Sequence, residues 1–386
     1  MAKPTLWTRT FVLGFAANFA HSLAFHGYVH LGGRLEQLGA DELEIGIIMA
    51  TMAAAAIAAR PLVGRVLDTH GRRIVLLVGS VVHVAATLGY LFIDSIGPLL
   101  YAIRIVHGLA DAMLFSVLFT IAADVVPRAR RTEGIAMFGV SGMIPLSLAG
   151  WLGDAIVDYD LLFGLTAAAA AIGAIAGLWL PDSRPDPDEP TEPARSYFRA
   201  ISDRRLRPLW MLGFCFALAV ASYFTFLKTF VLSPEGAGTV GGFFAAYTLA
   251  AIGLRLGLGW LPDRIGARPT LLPAVVCTAL GTLLLAQASS ATLVVIAGVL
   301  CGIGHGFTFP ILSALVVVRA QPSERGTALA SFTALFDLGL LVGGPSLGLV
   351  LELADYATMF TTAGIIALLG VVLFAFWDPP ERRHAG

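Results

Sequence analysis

Long apolar runs alternate with short polar stretches along the whole chain. The runs lie at about residues 10–33, 45–67, 74–93, 98–126, 134–157 and 160–180, and again at about 208–232, 239–261, 269–288, 291–318, 326–353 and 356–377. A helix that crosses the hydrocarbon core of a bilayer needs roughly 20 apolar residues. The pattern therefore predicts an all-α membrane protein with twelve transmembrane helices, arranged as six plus six.

The longest polar stretch separates the sixth run from the seventh. It reads PDSRPDPDEPTEPARSYFRAISDRRLRP and is rich in proline and acidic residues. Such a segment has too little apolar surface to form a packed core and is typical of a linker. We predict an N-terminal six-helix half at 1–180, a cytoplasmic linker at 181–207 and a C-terminal six-helix half at 208–386.

Composition agrees with this pattern. Hydrophobic residues make up 57% of the chain and charged residues 13%, with a mean hydropathy of +0.81, whereas a soluble domain carries roughly 25% charged residues. A net charge of −1 gives no indication of nucleic acid as a partner. The three cysteines fall inside apolar runs, so a disulfide framework is not expected.

The distribution of basic residues predicts the orientation. Of the 25 Lys and Arg residues, Arg34 is the only one in an odd-numbered loop, a few lie within the runs, and all the others fall in the termini and the even-numbered loops. Loops rich in Lys and Arg stay in the cytoplasm. Both termini are therefore predicted to be cytoplasmic.

One short polar motif occurs twice. GRVLDTHGRR at 64–73 lies between the second and third runs, and GWLPDRIGAR at 259–268 lies between the eighth and ninth. The matching residues are 195 positions apart: Gly64, Asp68, Gly71 and Arg73 with Gly259, Asp263, Gly266 and Arg268. We expect Gly64 to allow a close approach between helices and Gly71 to permit a tight turn at positive φ.

Two six-helix halves that repeat this loop motif resemble the major facilitator superfamily. The resemblance implies that Asp68 faces the N-terminus of helix 11. Arg72 and Arg73 are expected to bridge to Asp124 at the cytoplasmic end of helix 4, as part of a conformational latch that joins the two halves. The acid in each loop has no topological reason to be there, because only basic residues hold a loop inside.

Ionisable residues within the runs are costly and mark transport pathways. Arg104, His107 and Asp111 share one face of helix 4, and RIVHG resembles a second family signature whose arginine is implicated in proton coupling. We expect Asp111 to carry the proton, pairing with Arg104 and close enough to His107 to share it. Asp337 in helix 11 is the rival carrier.

The resemblance also implies that helices 1, 4, 7 and 10 line a central cavity. Polar and aromatic residues of these helices are the candidates for contact with a substrate: Asn18, His21, Phe25, Tyr223, Lys228, His305 and Thr308. His30 is expected at the wet outer rim of helix 1. Convincing metal co-ligands are absent from the neighbourhood of these histidines, so no metal site is predicted.

No Gly-x-x-x-x-Gly-Lys-Ser/Thr motif for ATP occurs, and neither a cofactor nor an enzymatic activity is expected. The favoured function is secondary active transport of a small organic molecule by alternating access, as proton-coupled efflux of a drug or metabolite. One alternative is a proton-coupled uptake symporter for an organic solute or anion. Another is a non-transporting membrane sensor or assembly subunit. The expected setting is a monomer in the bilayer of a bacterial cytoplasmic membrane.

Overall fold

A computed structural model describes residues 5–127, 130–182, 202–320 and 325–378. Helices account for all the regular secondary structure within these ranges. The predicted all-α fold class is confirmed.

Six long helices form in the first half. They are α1 (Arg9–His26), α2 (Glu42–His70), α3 (Arg72–Gly89), α4 (Pro98–Val125), α5 (Arg131–Ala155) and α6 (Tyr159–Leu178). A 3-10 turn at Gly27–His30 and a short helix at Leu31–Gln37 continue α1, and a 3-10 turn at Tyr90–Phe92 ends α3. The first predicted run therefore corresponds to three successive helical segments.

Six long helices also form in the second half. They are α7 (Arg207–Leu232), α8 (Val240–Leu258), α9 (Ala267–Leu285), α10 (Ala291–Arg319), α11 (Arg325–Leu353) and α12 (Tyr356–Trp377). A short helix, Leu261–Ile265, lies between α8 and α9.

Ten of these helices are long and apolar enough to cross a membrane when the described residues are searched. The two others, α1 and α5, carry more polar residues, since α1 contains Asn18 and two histidines. The chain is a multi-pass membrane protein. The division into six plus six spans and the cytoplasmic position of both termini remain predictions.

Glycines form the turns that follow α2 and the short helix Leu261–Ile265. Gly71 has φ of 86° and Gly266 has φ of 104°, a left-handed conformation that side chains with a Cβ rarely adopt. The expectation for Gly71 is confirmed, and its counterpart 195 residues later does the same.

The described residues divide into two compact units. One comprises Met1–Pro190 with Thr239–Ala245, and the other comprises Thr191–Gly238 with Ala246–Gly386. In the first, α1 packs on α5 and α6, and α3 packs on α4 and α6. In the second, α7 packs on α11 and α12, and α9 packs on α10 and α12. The repeated motif therefore accompanies a repeated helix packing.

Two glycines show how close this packing is. A Cβ on Gly108 of α4 would overlap the Met52 carbonyl of α2, and a Cβ on Gly302 of α10 would overlap the Tyr247 carbonyl of α8. Small residues allow such backbone approach in membrane helices. Gly64 was expected to serve this purpose, but a Cβ there would meet nothing within 4 Å. That prediction is wrong, because the close contact in α2 lies three turns earlier.

Candidate functional site

Three buried histidines contact one another in a row inside the first unit. His21 of α1 and His83 of α3 approach with their Nδ1 atoms 3.0 Å apart, so one ring donates and the other accepts. Ser80 Oγ lies 3.3 Å from His21 Nε2. The His83 and His107 rings stack with centroids 5.2 Å apart. The three histidines thus connect α1 through α3 to α4.

Arg104 is fixed in place by carbonyls of α2. Its Nε donates to the Ile48 carbonyl at 3.0 Å and its Nη2 donates to the Met49 carbonyl at 2.7 Å. Helix carbonyls keep a second lone pair for such a contact. Only 2% of Arg104 is exposed, so its charge is held by these contacts rather than by water.

Tyr90 connects Arg104 to His107. Arg104 Nη1 donates to the Tyr90 hydroxyl at 3.2 Å, because a guanidinium has no acceptor. The Tyr90 proton is then available to His107 Nδ1, 3.2 Å away. The other ring nitrogen of His107, Nε2, is buried without a hydrogen-bond partner in the described part of the chain.

Asp111 lies outside this network, although it follows His107 by one turn. The described polar contacts of Arg104 go to Ile48, Met49 and Tyr90, so the expected Arg104–Asp111 pair does not form. Asp111 is instead partly buried, with Arg60 of α2 as a charged neighbour. The Arg60 guanidinium carbon lies 5.7 Å from the centroid of Phe115, one turn beyond Asp111.

The other candidates of α1 have mixed positions. Asn18 donates to Ser141 Oγ at 2.7 Å, and Phe25 lies edge-on against His107 with ring centroids 5.3 Å apart. His21 packs against α3 and against Gly173 of α6, so it belongs to the interior of the unit and the cavity prediction for it is corrected. His30 is fully buried, which corrects its expected place at a wet rim.

The corresponding region of the second unit is aromatic. Around His305 of α10 lie four rings, with centroid distances of 5.6, 5.7, 6.2 and 6.4 Å to Phe216, Tyr247, Phe309 and Phe336. Phe309 also contacts Phe332 at 5.5 Å, and Phe332 stacks on Trp210 at 6.3 Å. These rings come from α7, α8, α10 and α11.

Polar groups are few beside these rings. His305 Nδ1 and Thr308 Oγ1 are buried without a hydrogen-bond partner among the described residues. Arg255 of α8 donates from Nε to the Gly306 carbonyl at 3.0 Å. Of the remaining candidates, Tyr223 and Lys228 are buried in α7, and Asp337 is partly buried in α11.

Asp111 and His305 occupy matching places in the two halves. They lie 194 residues apart, each three residues after the glycine that contacts the neighbouring helix. A helix turns roughly 100° per residue, which places Asp111 about 120° around α4 from exposed Leu99 and Ile105 and about 40° from exposed Phe115. His305 lies at least about 120° around α10 from exposed Ile296 and Val299 and about 80° from exposed Val295. Both side chains are partly exposed.

The repeated loop holds each half together. Arg72 Nε lies 3.1 Å from Asp124 Oδ2, as expected from the motif. Arg73 instead donates to the carbonyls of Leu180 and Leu178 at the end of α6, at 2.8 and 3.4 Å. The expected Arg73–Asp124 bridge is therefore corrected, because carbonyls left open at a helix end attract the cation.

Arg268 repeats the arrangement of Arg73. It donates to the carbonyls of Asp378 and Ala375 at the end of α12, at 2.6 and 2.7 Å. Ala375 and Leu180 are again 195 positions apart. Asp263 is exposed and Gly259 lies at the end of α8. The side chain of Asp68 lies outside the described part of the chain, so the latch remains a prediction.

Sequence reasoning missed His83 and Tyr90. A lone histidine in the middle of the third apolar run is itself an intramembrane ionisable group, and that signal was available. Tyr90 gave no such signal, since its role depends on a 3-10 turn after α3. Within the described ranges, no group of three or more His, Cys, Asp or Glu residues is arranged to hold a metal ion.

An all-helical, multi-pass chain with two repeat-related halves and buried ionisable groups defines the class of membrane transporters. The family model of the Major Facilitator Superfamily matches residues 10–261 and 232–386. The chain belongs to this family. Its family and fold are those of transporters, so it is not an enzyme.

The comparisons with known proteins agree. The MFS-type transporter YhhS of Salmonella typhimurium, described as uncharacterized, is 26% identical over 369 residues, which cover 92% of this chain and 87% of YhhS. The structure of the nucleoside transporter NupG has a TM-score of 0.75 at 16% identity and covers 96% of this chain and 98% of its own. The human organic anion transporter MFSD10 has a TM-score of 0.73 at 19% identity, covering 96% and 100%.

Proposed function

We propose that the protein is a secondary active transporter that exports a small organic molecule in exchange for protons, with Asp111 as the proton carrier. The observation that carries the proposal is the place of Asp111. It is a partly buried carboxylate in the middle of α4, and Arg60 of α2, which lies over the Phe115 ring one turn beyond, is a charged neighbour. Such a group is costly in a membrane and is kept for function.

The contacts indicate that the charge of Arg104 is fixed, whereas that of Asp111 can change by protonation. Arg104 is held by two carbonyls and a hydroxyl, so protonation of Asp111 changes nothing in its contacts. Arg60 responds instead, because neutral Asp111 no longer balances its charge. In our proposal this change favours one orientation of the transporter, and solute binding favours the orientation in which Asp111 is ionised. The two events then alternate.

The substrate class is proposed from the structural neighbours. NupG is a nucleoside transporter and MFSD10 is an organic anion transporter, and both have the fold of this chain, which agrees with an organic solute. Uptake by proton symport is the alternative direction. A non-transporting sensor is disfavoured, since it has no need of Arg60 and Asp111 within a membrane. We place the protein as a monomer in the cytoplasmic membrane of a bacterium.

The test uses purified protein in liposomes that contain an entrapped pH-sensitive dye. Organic compounds are added one by one to a panel of samples with an imposed pH gradient, and solute-dependent proton movement is recorded together with solute accumulation. Asp111→Asn is expected to abolish accumulation against a gradient, a loss of at least tenfold, while downhill exchange continues. Asp94→Asn, at an exposed loop position, is the matched control and should behave as the parent.

The direction of proton movement separates the readings. Exchange moves protons against the solute, and symport moves them with it. If Asp111→Asn accumulates solute with the parent's dependence on pH, Asp111 is not the carrier. The same experiment with Asp337→Asn tests the rival carboxylate.

A further inference from the structure

The partly exposed rings of His305, Phe309 and Phe336 form one surface in the second unit, which we call the aromatic face. His305 and Phe309 are four residues apart on α10 and their rings are nearly parallel, at 7°. Phe336 of α11 meets His305 edge-on at 90° and Phe309 at 83°. Two helices therefore supply a floor and a side wall of aromatic rings.

Fully buried rings support this surface from behind. Phe216 of α7 and Tyr247 of α8 are at most 2% exposed and lie within 6 Å of the His305 ring. Close packing of this kind leaves little freedom to the exposed rings. A preformed surface loses less conformational entropy when a ligand binds.

The scaffold does not require aromatic residues here. The positions in the first half that match Phe216, Tyr247 and Phe336 hold His21, Met52 and Ser141, and the same helix pairs pack in both halves. Phe309 does match an aromatic residue, Phe115, 194 positions earlier, so Phe216, Tyr247 and Phe336 are the rings that distinguish the second half.

Polar atoms beside the rings lack partners. His305 Nδ1 and Thr308 Oγ1 are buried without a hydrogen-bond partner in the described residues, and Thr308 is fully buried. A buried polar group without a partner costs free energy. A ligand with a hydrogen-bonding group on its ring removes that cost at His305.

We propose that the aromatic face binds the transported solute by stacking on a planar aromatic ring, with a hydrogen-bonding substituent at His305 Nδ1. This inference rests on the proposed transport function and adds a substrate class to it. Arg255 donates to the carbonyl of Gly306, the residue after His305, and its positive charge disfavours a cationic group at this end of the solute. The ligand class is therefore a neutral or anionic aromatic or heteroaromatic compound.

The test measures equilibrium binding to the purified full chain in lipid nanodiscs. Benzamide, 1-naphthamide and indole-3-carboxamide are each compared with the ring-saturated amide of the same skeleton. At least one aromatic amide is expected to bind tenfold tighter than its saturated counterpart. Equal affinities for every pair, or no binding by any aromatic member, overturn the proposal.

Variants then place the site. Phe336→Leu is expected to weaken binding of the aromatic amide about tenfold, whereas Phe376→Leu, at an 85% exposed position of α12, leaves it unchanged. His305→Phe keeps a ring and removes Nδ1, so it should lose the preference for the amide over the parent hydrocarbon. Unfolding midpoints without ligand show whether each variant is folded, and unchanged binding by folded Phe336→Leu and His305→Phe contradicts the proposal.

Failure here is distinguishable from failure of the transport proposal. Loss of the aromatic preference with Asp111-dependent proton movement intact refutes only the aromatic face. Aromatic binding without any proton movement refutes the coupling and leaves the aromatic face standing.

Discussion

Asp111 and His305 occupy equivalent positions in two halves that share one scaffold. A matched arginine and a matched phenylalanine accompany each of them, and most of the other side chains around them differ. Arg60 lies near Asp111, and the network of Arg104, Tyr90 and His107 begins one turn earlier on the same helix without including Asp111. Near His305 lie four aromatic rings. The repeat preserves backbone geometry, and the side chains at matching places have diverged in chemistry.

The preserved features are those that the backbone needs. Two turns at positive φ, two glycines at helix crossings and two arginines at helix ends recur at spacings of 194 or 195 residues: Gly71 and Gly266, Gly108 and Gly302, Arg73 and Arg268. The polar residues of α4 do not recur, since Arg104 and His107 match Gly298 and Cys301. The turns, helix crossings and helix-end contacts are therefore duplicated, whereas the polar side chains of α4 occur in the first half alone.

Substitution of Arg104 is expected to give the largest loss of stability, because it breaks three hydrogen bonds of a buried charge. No arginine occupies the matching position in the second half, which holds Gly298. Arg104→Lys keeps the charge and loses the planar fork that reaches Ile48, Met49 and Tyr90 together. The free energy of unfolding should fall by about 3 kcal/mol, because hydrogen bonds to a buried charge are lost. The unfolding midpoint in detergent measures this, with Arg65→Lys at an exposed position as control. Equal midpoints for both variants refute a structural role for the network.

The two crossing glycines should give equal, intermediate effects. Gly108→Ala and Gly302→Ala each place a methyl group against a carbonyl of the neighbouring helix, and overpacking of this kind costs roughly 1–3 kcal/mol. Gly64→Ala is the control, because a Cβ there has open space. A loss for one glycine and none for the other breaks the symmetry that the packing indicates.

The two arginines at helix ends should give the smallest effects, each confined to its own half. Arg73→Gln and Arg268→Gln remove a cation from the carbonyls at the ends of α6 and α12, worth about 1 kcal/mol each. Hydrogen exchange should accelerate near 178–182 in the first variant and near 375–378 in the second. Acceleration at both ends in a single variant contradicts the confinement.

Much of the fold followed from the sequence, because apolar length and the spacing of the repeated motif are backbone-level signals. The turn at Gly71 and the contact of Arg72 with Asp124 were expected for that reason. Gly64 and Arg73 were assigned wrongly, since a motif identifies residues without showing which neighbour each one meets. Arg73 donates to a carbonyl at the end of α6 because that helix ends beside α3.

The candidate site was harder to predict. Arg104, His107 and Asp111 share a helical face, and that was readable from their spacing. Their actual contacts depend on α2 and on the turn at Tyr90. The residue spacing within α4 carries no information about either of these. The aromatic face joins residues of α10 and α11 with rings from α7 and α8, so only tertiary structure brings it together.

The division of chemistry between the halves is tested most directly by binding and accumulation measured on the same liposomes. The parent, Asp111→Asn and Phe336→Leu are compared with one aromatic amide that binds the parent. Asp111→Asn is expected to bind it within about twofold of the parent, yet not to accumulate it against a gradient. Phe336→Leu is expected to bind about tenfold more weakly and to keep the parent's number of protons per solute. If both variants lose binding and coupling together, the two halves do not have separate roles and the account is wrong.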